Sequence, residues 1–262
     1  MYIQMKHDND NLYTIPLTST GYVRRDAKAA MRKLPKGYVY AIAPDYATYV
    51  ELREAFRGGD THANRYYSNI LLTAEQNGLI HSADRSSSYP AVQCNDNYPI
   101  SRFYDLENPS FDAVMELIEK RGRAVLARVK ISGLTLQDST YGCPYISKSK
   151  CRNLQGAELD NGRVLSADYL ETIITDVDLG IILREYKYSD IEFYDVKHAR
   201  YGKLPQCLID VTLDYYRKKT ELKNVVGQEY LYMKSKNKLN SVYGMCAQDP
   251  LKEEVIFKDE DY

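Results

Sequence analysis

Tryptophan is absent from this 262-residue sequence and phenylalanine occurs only 5 times, whereas tyrosine occurs 25 times. A tyrosine has an apolar ring and a polar tip, which makes it ordinary material for the edge of a core. The tyrosine count alone therefore does not predict a set of stacking platforms for bases. We assign a function only to those tyrosines that lie within a motif.

Cysteine pairs of the Cys-x-x-Cys type and long apolar runs are also absent. The cysteines are scattered along the chain at Cys94, Cys143, Cys151, Cys207 and Cys246. Their spacing argues against a zinc site or a disulfide framework and indicates reduced, packed thiols in a cytosolic protein. No stretch approaches membrane-spanning length, and the first residues lack the apolar region of a signal peptide. We expect a soluble, cytoplasmic protein without a membrane partner.

Net charge gives no overall reason to expect binding to nucleic acid, because it is only -1 at pH 7. The basic residues are instead concentrated locally, since Arg217 to Lys238 holds 7 Lys and Arg against Glu221 and Glu229. Such local charge is typical of a groove or a phosphate site. A hydrophobic content of 44% is sufficient for a real core in one large or two small domains.

Two functional motifs are present, and the second in chain order lies near the C-terminal end of the sequence, where Lys236, Asn240 and Tyr243 recur at i, i+4 and i+7. This spacing puts a cation, an amide and an aromatic ring on one helix face. The cation suits a phosphate, the ring can stack on a base or sugar, and Gly244 permits close backbone approach. The motif predicts a nucleotide contact.

The first motif in chain order begins with Asp84, which follows the apolar run 78–80. We predict a strand over 78–84 that ends in a turn with a carboxylate at its mouth. A carboxylate in this place can hold Mg²⁺ beside phosphates.

Periodicity and breakers predict the remaining elements. We expect a strand at 38–43, a helix at 46–56, a helix at 111–120, a buried strand at 123–131, a loop-rich insertion at 138–163, and helices at about 204–223 and 229–243. The last two helices should form an antiparallel hairpin that brings Lys219, Lys223 and Lys236 within reach of one polyphosphate.

Both motifs resemble those of a known family. Asp84-x-x-Ser87-x-Tyr89-Pro90 resembles the first palm motif of family B DNA polymerases. Lys236-x-x-x-Asn240-Ser241-x-Tyr243-Gly244 resembles their fingers motif. Phe56-Arg57-Gly58-Gly59 looks like the Tyr-x-Gly-Gly turn of the bacteriophage, protein-primed-type branch, with Phe56 in place of tyrosine. The resemblance covers most of residues 56 to 250.

The resemblance implies an α+β fold, with a palm of antiparallel sheet and helices and with fingers formed by an antiparallel helical hairpin. The implied ranges are 1–55 leading into the palm, 56–137 palm, 138–163 insertion, 164–203 palm continuation, 204–245 fingers, and 246–262 returning to the palm. The fold would be incomplete, because the exonuclease domain, the third palm motif with its carboxylates, and the thumb are missing.

The resemblance also implies roles for single residues. Asp84 would be catalytic and would bind two Mg²⁺ ions, with the Arg85 carbonyl beside it. Tyr89 would lie under the sugar and disfavour a 2′-hydroxyl, and Tyr243 would line the base-pair pocket. The implied nucleotide contacts are Arg85, Ser86, Ser87, Ser88, Tyr89, Lys219, Lys236, Asn240 and Tyr243. The implied DNA contacts are Arg57, Gly58, Gly59, Ser241 and Gly244.

The implied reaction in DNA replication is attack of a primer 3′-hydroxyl on the α-phosphate of a dNTP, directed by primer-template DNA. We expect a split or truncated polymerase whose missing carboxylates come from a second chain, with a terminal protein as a further candidate partner. The alternative is a nucleotide- or DNA-binding protein that has lost the reaction.

We expect Asp176 and Asp178 to cap helices or pair with cations, and His62, His81 and His198 to be packed or hydrogen-bonded.

Overall fold

The computed structural model describes residues 11, 13–59, 61–138, 142–249 and 251. It divides the chain into two compact units. We call the first the helical unit; it takes the residues up to Lys36, Asp84–Asp96 and the residues from Lys203 onward. We call the second the sheet unit; it takes Gly37–Ala83 and Asn97–Gly202.

The helices of the described residues are, in chain order, α1 Ser19–Met31, α2 Tyr38–Ile42, α3 Tyr46–Ala55, α4 Ala74–Asn77, α5 Ser88–Asn95, α6 Phe111–Met115, α7 Asp176–Glu185, α8 Gln206–Glu221 and α9 Glu229–Ala247. Helix α6 continues as a π-helical turn over Glu116–Lys120, and 3₁₀ turns occupy Arg65–Tyr67 and Lys148–Lys150. The helices predicted at 46–56 and 111–120 are confirmed.

The sheet unit is built on an antiparallel sheet. Its described strands are β1 Tyr98–Pro99, β2 Tyr104–Leu106, β3 Arg123–Leu136, β4 Cys151–Gln155, β5 Glu158–Asp160, β6 Arg163–Thr175, β7 Tyr186–Lys187 and β8 Asp190–Gly202. The main order is β1-β8-β3-β6-β4, while β2 pairs with β8, β5 with β6 and β7 with β3. The predicted strand at 123–131 is confirmed as the first part of β3, which lies between β6 and β8.

Strand β3 is central because its side chains are apolar on both faces. On one face Val129 and Ile131, each 0% exposed, join the main core, to which α7 contributes Ile182. On the other face Leu126 packs with Ala55 of α3. The register shifts between Ala127 and Arg128, opposite the left-handed Asp195 of β8, as in a β-bulge.

Two predictions about local structure were wrong. Residues Tyr38–Ile42 form helix α2 rather than a strand, because this run has no ladder partner among the described residues and Tyr40 is 78% exposed. Residues 78–84 form no strand, and Leu79 is 79% exposed. The loop-rich insertion predicted at 138–163 stays a prediction; the range also holds β4 and β5, which pair with β6, and residues 139–141 lie outside the described part.

The helical unit contains α1, α5, α8 and α9. Helices α8 and α9 form the predicted hairpin, and the connection between them includes Gly227 at φ 79°. Their shared core consists of Val23, Tyr215, Leu239 and Val242. Val23 comes from α1, a helix that the sequence analysis did not predict and that contacts both α8 and α9.

The predicted assignment to palm and fingers stays a prediction. The sheet unit holds most of the ranges 56–137 and 164–203, and the helical unit holds 204–245 and the motif from Asp84. Of the range 246–262, residues 250 and 252–262 lie outside the described residues. In the described part of the chain, no helix is both long enough and apolar enough to span a membrane.

Candidate nucleotide-binding site

The first motif forms the entry to helix α5. Ser87 is the residue before the helix, and it adopts φ 53° and ψ 44°, which is left-handed. Among the described residues with positive φ, the other non-glycine residues are all Asn or Asp. A left-handed conformation costs an ordinary residue about 1–2 kcal/mol, and such strain is concentrated at functional sites.

The Ser87 hydroxyl does not cap helix α5. No side-chain hydrogen bond caps α5, so the amide groups of Ser88 and Tyr89 have no partner within the helix. Pro90, the next residue, carries no N–H. Exposed amides at a positive helix end favour an anion.

A lysine from the hairpin reaches this turn. The Lys219 ammonium donates a hydrogen bond to Ser87 Oγ over 3.0 Å, and it lies 5.6 Å from the centre of the Tyr216 ring. The sequence offered Lys219 as one of several phosphate contacts, and the structure brings it to the first motif. Lys219 and the α5 terminus together place positive charge around the Ser86–Ser88 backbone.

The two motifs meet through their tyrosines. The rings of Tyr89 and Tyr243 are stacked, with centroids 4.2 Å apart and planes at 20°. One turn further along each helix, Gln93 Nε2 donates to Cys246 Sγ over 3.3 Å. Sequence reasoning missed the second contact, although Tyr89 and Gln93 are spaced i, i+4 on α5. These contacts align α5 along α9.

The other residues of the second motif also lie on α9. Lys236 and Asn240 are exposed, and neither makes a hydrogen bond or ion pair with any described residue. Ser241 is half-buried. A Cβ on Gly244 or on Gly58 would meet open space, so no internal packing in the described part requires glycine there. Their contact with DNA stays a prediction.

Asp84 and Arg85 are exposed and have no partner among the described residues. In that part of the chain, no group of three or more His, Cys, Asp or Glu side chains is arranged to hold a metal ion. Two-metal catalysis needs several carboxylates around the ions. The described residues therefore do not by themselves fit the two-Mg²⁺ site that the sequence predicted, to which Asp84 would contribute one carboxylate.

Arg57 lies in the sheet unit and is largely buried there. Its Nε is 3.3 Å from Asp178 Oδ1, and its side chain is only 12% exposed. Its Nη2 donates to the Ile173 carbonyl over 3.2 Å, and the guanidinium lies 5.5 Å from the centre of the Tyr145 ring. A DNA contact through this side chain stays a prediction, and the observed geometry is that of an internal anchor.

The structural roles expected for Asp176 and Asp178 are confirmed. Asp178 forms a capping box with Thr175 at the start of α7 and accepts a hydrogen bond from Tyr145. Asp176 accepts from the Val125 amide over 2.9 Å and from the Tyr201 hydroxyl over 2.8 Å. Burial, together with the bond to Asp176, raises the pKa of the Tyr201 phenol. Neither carboxylate is available as a spare ligand.

The three histidines differ in their burial and in their contacts. His62 pairs with Asp160, with Nε2 3.3 Å from Oδ2, as expected of a packed histidine. Burial lowers the pKa of His198, whose ring lies 6.1 Å from that of Tyr104. His81 is exposed and makes no hydrogen bond with a described residue, so the expectation that it is packed or hydrogen-bonded was wrong.

The strain at Ser87 gives a testable prediction. Ser87→Gly and Ser87→Ala both remove the hydroxyl, but only glycine adopts positive φ without strain. We expect the glycine variant to be more stable than the alanine variant by about 1 kcal/mol in denaturant unfolding. The matched pair Ser88→Gly and Ser88→Ala lies inside the helix and should show the reverse order, by about 0.5–1 kcal/mol. The same order at both positions would contradict the left-handed assignment.

The fold of this chain is similar to that of solved structures, whereas its sequence matches no known family. No protein-family model and no curated protein matches the sequence. Among solved structures, the chain is similar to Phi29 DNA polymerase complexed with single-stranded DNA, with a TM-score of 0.64 and 17% identity over 95% of this chain and 37% of that chain. The complex of that polymerase with primer-template DNA gives 0.66 and 17% over 95% and 38%. Its ternary complex with primer-template DNA and incoming nucleotides gives 0.63 and 16% over 92% and 37%.

At these identities the likeness shows the fold alone. The chain has a mixed helical and antiparallel-sheet fold that resembles part of a polymerase palm and fingers. It spans 37–38% of the length of the solved polymerase chains.

Proposed function

We propose that this chain binds a dNTP and primer-template DNA as the palm-and-fingers part of a family B DNA polymerase of the protein-primed type. In this proposal it takes part in template-directed transfer of a nucleotide to a primer 3′-hydroxyl during bacteriophage DNA replication in the host cytoplasm. The observation that carries the proposal is the stack of Tyr89 on Tyr243, because it joins the two polymerase-like motifs in one place.

The triphosphate would lie at the entry to α5. The Ser88 and Tyr89 amides have no partner within the helix, and Lys219 stands beside them at Ser87. Lys236, exposed on α9, is the second cation that we propose for phosphate binding. Arg85 and Asn240 would add polar contacts from the two motifs.

The base and sugar would contact the tyrosine pair. Two rings with centroids 4.2 Å apart leave no room for a third ring between them. An incoming base must therefore pack on an outer face of the pair or separate the two rings. Tyr89 would then face the sugar, and Tyr243 the base.

Nucleotidyl transfer needs more than the described residues supply. Bound Mg²⁺ would neutralise charge on the phosphates, but Asp84 is one carboxylate where a two-metal site needs several. We propose that the others come from outside the described residues. A second polypeptide is one source, and a terminal protein as primer is a further proposed partner.

The shortage of carboxylates also favours an alternative function. In that reading the chain binds nucleotides or DNA through the same surfaces and catalyses no transfer. The two readings share the binding predictions and differ in primer extension.

Nucleotide binding can be tested without turnover. We expect Lys219→Gln to weaken dNTP binding about tenfold, since it removes one charge-assisted contact to phosphate. Equilibrium dialysis with a labelled dNTP measures the dissociation constant. Lys28→Gln, at an exposed position on α1, removes the same charge and should change it less than twofold. Equal losses in the two variants would mean that only general charge matters, and would count against the site.

A further inference from the structure

A pocket in the sheet unit is not explained by the proposed nucleotide site. Its volume is about 310 Å³, which is at the lower end of the range for small-molecule sites. The polar and aromatic side chains that line it are Tyr40, Asp45, Thr48, Arg102 and Phe103. None of them has a role in the proposed binding of dNTP or primer-template DNA.

A guanidinium group and an aromatic ring lie next to each other in this pocket. Arg102 Nη2 donates a hydrogen bond to the Tyr40 carbonyl over 3.3 Å, and the guanidinium carbon lies 5.4 Å from the centre of the Tyr40 ring. These contacts hold Arg102 in place although the residue is exposed. Arg102 makes no ion pair with a described residue, so its charge is available to an anion. A phosphate group is an anion that a guanidinium binds well.

A carboxylate also lines the pocket. Asp45 immediately precedes α3, and its Oδ1 accepts a hydrogen bond from the Thr48 amide over 2.8 Å. This hydrogen bond holds the pKa of the Asp45 carboxyl below its usual range, so the group is charged at neutral pH. Asp45 makes no ion pair with a described residue. A carboxylate can accept about four hydrogen bonds, which leaves Asp45 able to accept more from a ligand.

Packing holds the elements around the pocket in place. Phe103 packs against a small core formed by Ala55, Leu126 and Ile173. Ala55 belongs to α3, so this core joins the helix that begins after Asp45 to the segment that carries Phe103. Thr48, one turn into the same helix, is only 2% exposed. A preformed pocket loses less conformational entropy when a ligand binds.

We propose that this pocket binds a guanine base together with a phosphate group, from either a free guanine nucleotide or a single-stranded nucleic acid. The Tyr40 and Phe103 rings suit a planar base, and Arg102 would bind the phosphate. Asp45 would accept from the base. The proposal does not depend on the polymerase function, because it uses none of the residues assigned to that function.

The charge of Asp45 selects guanine among the bases. Guanine presents its ring N1–H and its exocyclic amino group side by side, so one carboxylate accepts from both. In adenine and cytosine, a ring nitrogen acceptor lies beside the amino group and repels a carboxylate. In uracil and thymine, the ring N–H lies between two carbonyl acceptors. A carboxylate therefore pairs well with guanine alone.

The site can be located and measured in the full chain. Isotope-labelled protein is titrated separately with the monophosphates GMP, AMP, CMP and UMP, while the amide signals of Ala43, Thr48 and Phe103 are followed by NMR. We expect GMP to shift these signals with a dissociation constant about tenfold lower than those of the other three, because a bidentate pair discriminates between bases by about this factor. The result is independent of dNTP binding near Lys219, since the signals come from the pocket itself.

Asp45→Asn separates base recognition from folding. Asparagine caps a helix as well as aspartate does, so α3 should remain intact. Its amide has only one acceptor oxygen, and we expect GMP to bind about tenfold more weakly while AMP binding changes less than about twofold. Tyr40→Ala should weaken both about tenfold through the loss of stacking. Tyr46→Ala, which removes another exposed tyrosine that does not line the pocket, should change either by less than about twofold.

A pentanucleotide with one guanosine between four thymidines distinguishes the two sources of the base. Tighter binding of this strand than of GMP would identify single-stranded nucleic acid, and equal binding would identify the free nucleotide. If neither ligand shifts the pocket signals, or if Asp45→Asn prefers GMP to AMP as the wild type does, the proposal is wrong.

Discussion

Replacing Asp84 with asparagine is expected to lower the rate of primer extension about 10³-fold. Asparagine has the shape of aspartate without its charge, so it holds a divalent cation beside phosphates much more weakly. Cation stabilisation of transition-state charge contributes several kcal/mol, and about 4 kcal/mol corresponds to this factor. The free energy of unfolding should stay within about 0.5 kcal/mol, because Asp84 is exposed and has no partner among the described residues.

The measurement is extension of a primed single-stranded template with Mg²⁺ and dNTPs, by the chain alone and with a candidate second polypeptide. Asp96→Asn, an exposed aspartate at the other end of α5, is the matched control and should retain full activity. Extension at an unchanged rate by the Asp84 variant would remove Asp84 from the proposed catalytic role. Binding of dNTP without extension in every mixture would favour the non-catalytic alternative.

Arg57→Ala is expected to destabilise the sheet unit by about 3 kcal/mol. The substitution leaves Asp178, whose side chain is 7% exposed, without its cation in a buried site. Removing one partner of a buried ion pair typically costs about 3–5 kcal/mol. We expect the lower end because Asp178 keeps its hydrogen bonds to Thr175 and Tyr145. Denaturant unfolding measures the change.

The comparison with Arg152→Ala shows whether burial is the reason. Arg152 also pairs with a carboxylate, that of Glu54, but its side chain is 58% exposed, and its loss should cost less than about 1 kcal/mol. Arg57→Lys keeps the charge and should recover part of the stability. If Arg57→Ala unfolds like the wild type and only DNA binding is weakened, then the DNA contact predicted from sequence is the correct role and the internal anchor is not needed.

Local sequence patterns were sufficient to predict a helix or strand wherever its own residues determine its conformation. The helical hairpin followed from apolar spacing in two segments separated by Val225, Val226 and Gly227, and the strand at 123–131 followed from a continuous apolar run. The two motifs were also readable in the sequence, because each places its polar groups at fixed spacing along one element. What these motifs contact was not readable in the same way.

Patterns failed where the outcome depends on a partner distant in sequence. Residues 38–42 have strand-forming composition but no neighbouring strand, and they are helical. Leu79 and Ile80 precede Asp84 as a strand would, yet no ladder forms there among the described residues. Conversely, β4 and β5 have weak patterns of their own and become strands because β6 offers its edge.

The sequence by itself determined the helical hairpin, the central strand and the two motifs, because periodicity and residue chemistry act over one or two turns. Only the tertiary structure decided that Tyr89 stacks on Tyr243, that Lys219 rather than another lysine reaches Ser87, and that Arg57 pairs with Asp178. The partners in each pair are more than 100 residues apart, so their contact depends on how whole elements pack. Charge and aromaticity mark a residue as capable of function, and burial and neighbours decide which function it can serve.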